Sequence, residues 1–238
     1  MSRCGVFAAA VAWSVLVAIG AFSADTPEKA GATNTNTVAG GKNVIKEHRS
    51  GEWTPDLTDA EKDALFAIAV DSLEWCTKGS KGAFDFSKYR LTEKLKKDTA
   101  TFVTLKVKAN DDLRGCIGSL EPHEALYLSV HNNAVNAAMN DSRFDQVKFS
   151  ELAALDVHVS ILSPIRDIAS LDAFKLGEHG IILSKMGLRS VFLPEVAIEQ
   201  KWTKEQTLTH LSRKAGLPND AWKQGAKFKV FSSVVLSK

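Results

Sequence analysis

Leu113-Arg114-Gly115-Cys116-Ile117-Gly118 puts a cation, a thiol and two glycines into six residues. Successive side chains of a strand point to opposite faces, so this reading sets Arg114 and Cys116 together on one face. Leu113 and Ile117 then point into a core on the other. Gly115 and Gly118 leave room for another backbone or a ligand, at some loss of strand stability. A guanidinium beside a thiol favours the thiolate, the nucleophilic form of cysteine. The same residues also fit a buried strand whose cysteine is a small apolar filler and whose arginine pairs with an acid. Just upstream, residues 101–108 alternate in the strand manner and Asn110-Asp111-Asp112 supplies a turn. Two strands around a polar turn make a hairpin, and its strands are antiparallel.

Working outward, a helix is expected from His123 to Asn140, following Pro122. Asn132, Asn136 and Asn140 share one of its faces and read as solvated, while Ala134, Ala137 and Ala138 suit close packing on a sheet. Asp141-Ser142-Arg143-Phe144 closes this helix. An Asp141–Arg143 pair that ties down the loop and an anion-reading Arg143 beside the Phe144 ring both fit there. Toward the N-terminus, Thr58 and Glu61 form a capping box, and Leu65, Ile68, Ala69, Leu73 and Cys76 follow at helical spacing until Gly79. Residues 91–97 read as a short helix. Toward the C-terminus come strands at 156–162, 181–183 and 190–193, the last two a hairpin around Gly187. An amphipathic helix at 203–215 stops at Gly216 and Pro218, and residues 228–236 give a last strand. Strands fall in neighbouring pairs with helices between the groups, which is an α+β domain with antiparallel sheet.

The ends of the chain read differently from its middle. Arg3 precedes an apolar run from residue 6 to 19, and Ala21-Phe22-Ser23 offers small residues at cleavage positions. This reads as an export signal at residues 1–23, expected to leave Ala24 first and a periplasmic or secreted protein, membrane-attached only if uncleaved. Residues 24–52 carry few large apolar side chains and read as a flexible linker, leaving 53–238 as one domain. The net charge of +2, from 30 Lys and Arg against 28 Asp and Glu, gives no footprint for nucleic acid.

Several chemistries lack their residues. His123 and His131 lie about 12 Å apart along a helix, too far to share a metal ion. No phosphate-binding glycine loop, serine nucleophile elbow or paired-carboxylate motif occurs. Beyond the signal only Cys76 and Cys116 remain, in no zinc-type spacing, and both are expected reduced. His179, in the glycine-flanked turn Gly177-Glu178-His179-Gly180, is the histidine best placed to act as a base.

The hairpin motif, together with Asn133-Ala134, Ala137-Ala138, Asp141-Ser142-Arg143-Phe144, Gly177-Glu178-His179-Gly180, Leu193-Pro194-Glu195-Val196, Trp202 and Lys214-Ala215-Gly216-Leu217-Pro218, resembles the AMMECR domain family. These are the A components of the AmmeMemoRadiSam system. The resemblance covers residues 57–236, and Gln146 departs from it where the family often has proline. It implies a two-lobed fold, a main antiparallel sheet flanked by helices and a smaller strand-rich lobe, with a cleft near Arg114 and Cys116. It also implies partnership with a Memo-type metalloprotein and brings no settled reaction or cofactor. Two functions stay open: a module that binds a small molecule or a partner, and an enzyme using Cys116 as nucleophile or redox thiol with Arg114 as its electrostatic partner. The candidate binding residues are Gly115, Gly118, Asp141, Arg143, Phe144 and His179.

Overall fold

The computed structural model describes residues 44–238, so the expected signal at residues 1–23 lies outside the described residues. Nine strands form two antiparallel sheets within it, and no described helix is long and apolar enough to cross a membrane. The first sheet has the order β1-β9-β4-β2-β3, with β1 Lys46–Arg49, β2 Thr101–Val107, β3 Leu113–Gly118, β4 Leu155–Leu162 and β9 Ser233–Ser237. The second has the order β5-β8-β6-β7, with β5 Arg166–Ile168, β6 Gly180–Lys185, β7 Leu188–Phe192 and β8 Lys227–Phe231. Helices α1 Asp59–Thr77 and α2 Leu126–Met139 accompany the first sheet, and α3 Pro194–Glu199 and α4 Lys204–Lys214 the second. This is the two-lobed α+β arrangement.

The folded domain begins before residue 53. Lys46 to Arg49, inside the stretch expected to be linker, pair with β9 from Ser237 to Val234. Such a strand needs only backbone partners, and its charged side chains are mostly exposed as befits a sheet edge.

Helix α1 starts as its capping box requires: the Thr58 amide donates to the Glu61 carboxylate at 2.8 Å, and Glu61 N–H returns the bond to Thr58 Oγ1 at 3.3 Å. Helix α2 starts three residues later than expected, and residues 91–97 form turns rather than a helix. The two differences have one cause. The Leu126 and Tyr127 amides, unsatisfied at the start of α2, donate to the carbonyls of Lys97 and Leu95 at 2.9 and 3.1 Å. That segment serves as the cap that Ala125 has no side chain to provide.

Two cores result. In the first, α1 and α2 pack Leu65, Ile68, Ala134 and Ala137 against Val103, Leu105, Val159 and Ile161. In the second, Phe102, Cys116 and Leu162, from the other face of the first sheet, meet Ile181, Leu183, Val230, Leu193 and Leu211. The chain crosses between the sheets at Ser163 and again at Ser232, so residues 228–236 are two strands, one in each sheet. The crossings are stitched together: Ser163 N–H donates to the Ser232 carbonyl at 2.9 Å, and Ser232 N–H to Ser163 Oγ at 2.8 Å.

Candidate functional site

The motif strand does not keep simple alternation. Leu105 faces Gly115, but Lys106 faces Leu113, which leaves Arg114 as the extra residue of a β-bulge. The bulge turns Leu113 onto the Cys116 side, where it packs on the second core, while Ile117 packs on the first. The expectation that Leu113 and Ile117 share a face is corrected by this one inserted residue. Arg114 is likewise not the thiol's partner. Its Nε donates to Glu151 at 3.0 Å and its Nη1 to the Asp145 carbonyl at 2.9 Å.

The glycines are consumed by close approach. A Cβ on Gly115 would lie 2.2 Å from the Ala137 carbonyl oxygen, so α2 rests directly on the strand there. A Cβ on Gly118 would lie 2.2 Å from the Phe102 ring, the largest side chain buried at that point.

β3 is the outer strand of its sheet, and the outward groups of Cys116 are met by side chains. The Cys116 amide donates to Asp141 Oδ2 at 2.8 Å, and Arg143 Nη2 donates to the Cys116 carbonyl at 3.2 Å. Arg143 also grips Asp141 with two bonds, Nε to Oδ1 at 2.8 Å and Nη2 to Oδ2 at 2.6 Å. Burial opposes ionisation of Asp141, yet Arg143 and the Cys116 amide hold its carboxyl below the usual range. The loop-tying pair is therefore present, and Phe144 stands beside it with its ring centre 5.4 Å from the guanidinium.

The Cys116 thiol itself is buried and accepts a hydrogen bond from Thr104 Oγ1 at 3.2 Å. Burial pushes its pKa up; the Thr104 bond and Arg143 pull against this, and Glu195 and Asp141 add to it. Cys76 is also free and buried, its pKa pushed up to about 11 by burial. His179 is elsewhere: it receives the Lys175 amide at 3.2 Å and lies 3.1 Å from Arg166, both in the second lobe.

Residues outside the candidate set complete the surroundings of the thiol, and two of them, Glu195 and Lys214, stand in the motifs that carry the family resemblance. Thr104 aligns across the sheet with Cys116 on one side and His158 on the other. His158 is half-buried, and burial with nearby Lys106 holds it below the usual histidine range. From α3, Glu195 brings a carboxyl whose Oε2 is buried with no hydrogen-bond partner among the described residues, and burial raises its pKa to about 7. From the end of α4, Lys214 places its ammonium on the Val191 carbonyl at 2.9 Å, and burial lowers its pKa to about 8. A visible signal existed for Lys214, three residues after the fully buried Leu211 and next to buried Ala215 on an apolar stripe. Glu195 lies between buried Pro194 and Val196, a weaker signal. Lys106 pairs with Glu199 at 3.0 Å and Asp111 at 3.1 Å at the edge of this region. No three His, Cys, Asp or Glu side chains converge as a metal set among the described residues.

Groups with displaced ionisation lie near one buried thiol at the meeting of two cores, which makes this the candidate site. Known proteins are similar to the chain in sequence and in fold. A protein of Methanothermobacter thermautotrophicus is 36% identical over 178 residues, covering 70% of this chain and 88% of its own length. One of Methanosarcina mazei is 31% identical over 188 residues, covering 76% and 94%. The crystal structure of the uncharacterized protein PH0010 from Pyrococcus horikoshii superposes with a TM-score of 0.69 at 28% identity, covering 76% of this chain and 93% of that one. The AMMECR1 family model matches residues 66–236, which hold the motif strand, the Asp141–Arg143 clasp, Glu195 and Lys214. The chain belongs to the AMMECR1 family.

Proposed function

We propose that this chain is a binding module that holds a small molecule at the seam between its two cores, and that it acts beside a Memo-type protein rather than as a thiol catalyst. The observation that carries the reading is how completely the motif strand is committed to structure. Cys116 gives its amide and carbonyl to Asp141 and Arg143, Arg114 is bound by Glu151, and both glycines are occupied by close neighbours. The thiol is buried and disfavoured as thiolate, the opposite of what a nucleophile needs. Of the groups that act on the thiol, the one with a buried, unpartnered oxygen among the described residues is Glu195, on α3.

Iodoacetamide labelling across pH tests this. Cys116 is expected to react slowly near neutrality in the native chain and equally slowly in Arg114→Met. That variant is expected to lose only about 1 kcal/mol in urea unfolding, because the Glu151 partner is partly solvated. Fast labelling that slows when Arg114 is replaced would transfer the function to the thiol.

The N-terminal residues support export, and the resemblance supports the Memo-type partner. Purification of the native protein reads both. Sequencing is expected to begin at Ala24, with a Memo-type protein in the same fractions. A retained Met1 refutes the export, and fractions without that protein refute the partnership.

A further inference from the structure

The turn Gly177-Glu178-His179-Gly180 lies outside the surroundings of Cys116, and its backbone is fixed at both ends. Gly177 sits at φ +80°, and a Cβ on Gly180 would lie 2.3 Å from the Phe231 ring. Sheet register brings this turn to Arg166. β5 and β6 flank β8, where Arg166 and Ile181 both align with Val230, so Arg166 and His179 project from one face. His179 Nε2 lies 3.1 Å from Arg166 Nη2, and the Lys175 amide donates to His179 Nδ1 at 3.2 Å. A guanidinium can only donate, and a neutral imidazole has one N–H and one lone pair. With Nδ1 accepting from Lys175, the Nε2–H meets an Arg166 N–H and neither has an acceptor there. With the proton on Nδ1, toward the Ala173 carbonyl, Nε2 serves Arg166 but the Lys175 amide loses its acceptor. Neither tautomer satisfies every donor. The neighbouring cations are answered, Lys175 by Glu178 at 3.1 Å and Lys229 by Asp167 at 3.4 Å, whereas Arg166 has no carboxylate within ion-pair distance among the described residues.

We propose that Arg166 and His179 together hold a tetrahedral oxyanion of the phosphate class at the surface of the second lobe, a site separate from the Cys116 seam. One oxygen set against the pair accepts from both facing N–H groups, which are close enough to share it. The rest of the guanidinium fork can take a second oxygen, the geometry in which arginine reads phosphate. Arg166 is exposed and His179 half-buried, so an ion reaches the pair from solvent and needs no enclosed cavity. Burial, Arg166 on β5 and Lys175 in the turn disfavour the imidazolium, against Glu178 and the Ala173 carbonyl, and hold His179 below the usual histidine range. A bound dianion turns this balance over, because it favours the second charge on the ring. Binding therefore takes up a proton and tightens as pH falls through the histidine range.

Magnetic resonance of the histidine rings in the full chain tests this, with the His179 signals assigned by their loss in His179→Gln. Sulfate is the first probe, since it stays a dianion throughout, and inorganic phosphate, glycerol phosphate and acetate follow at matched ionic strength in chloride. The expected result is saturable movement of the His179 signals with sulfate, and at least fivefold tighter binding at about pH 6 than at about pH 8. Arg166→Met is expected to bind at least tenfold more weakly, and Arg166→Gln repeats the comparison if the methionine variant does not fold. Tighter binding of glycerol phosphate than of inorganic phosphate supports the site as one for a phosphate ester, and the reverse order supports the free ion. Acetate binding as tightly as sulfate overturns the phosphate class. His179 signals that do not move, or an affinity unchanged in a folded Arg166 variant, overturn the site and leave the pair as a structural tie between β5 and the turn. An affinity for sulfate that does not vary with pH overturns the part given to His179.

Discussion

Asp141→Ala is expected to destabilise the domain by about 4 kcal/mol, the effect of leaving a buried guanidinium without its carboxylate. Asp141 is nearly inaccessible, its side chain 3% exposed, and Arg143 beside it is 15% exposed, so solvent cannot readily replace the lost partner. The substitution also removes the acceptor of the Cys116 amide. Urea unfolding of the single variant and of Asp141→Ala with Arg143→Met separates the contributions. The double variant is expected to recover part of the loss, because the guanidinium that faced the Asp141 carboxylate is removed with it. A single-variant loss below about 1 kcal/mol would show that Arg143 finds another partner and that the clasp is not a buried ion pair in this sense.

Glu195 gives the second large effect, and it is a dependence on pH. An unfolded glutamate titrates near 4.5, the folded one near 7. Between those values the folded state holds a proton that the unfolded state has released, so stability falls as pH rises through the window. The difference of about 2.5 units corresponds to roughly 3 kcal/mol. His131, His158, His179 and His210, all lowered by burial, act in the opposite direction as pH passes through the usual histidine range. The measurement is therefore the difference between the wild type and Glu195→Gln, in which the histidines cancel. The wild type is expected to lose about 3 kcal/mol relative to the variant between pH 4.5 and 7, and parallel profiles would refute the buried acid. Lys214 acts in the next window. Its folded pKa near 8 lies below the unfolded 10.5, so stability returns as pH rises between them.

Much of the fold could be read from residues whose effects are local. The Thr58–Glu61 box, the turn at residues 110–112 and the Gly187 hairpin each act over a few positions, and each stands where its chemistry puts it. What escaped depends on partners distant in sequence. The bulge at Arg114 shows only when β3 is laid against β2, since alternation assumes one residue opposite another. The strand break at Ser232 depends on Ser163, almost 70 residues away, and the turns at 91–97 take their role from α2. At the site, Cys116, Asp141 and Arg143 were picked out by type and proximity in sequence, and the structure brings them together. Arg114 was picked by alternation and goes elsewhere. Glu195 and Lys214 stand in motifs of the family resemblance, yet their burial near Cys116 depends on a strand about 80 to 100 residues earlier, which composition does not carry.

The clasp on Cys116 also governs how other chains can join this one. Asp141 and Arg143 occupy the backbone donor and acceptor that an incoming strand would need at the middle of β3, so side chains stand where a sixth strand would lie. On the second sheet α4 covers the β7 edge, with Lys214 on the Val191 carbonyl. A segment that docks by extending a sheet is thereby directed away from the Cys116 strand, to the far margins formed by β1 and β5. The same device keeps two copies of the chain from zipping together edge to edge through β3, a safeguard against fibrous self-assembly.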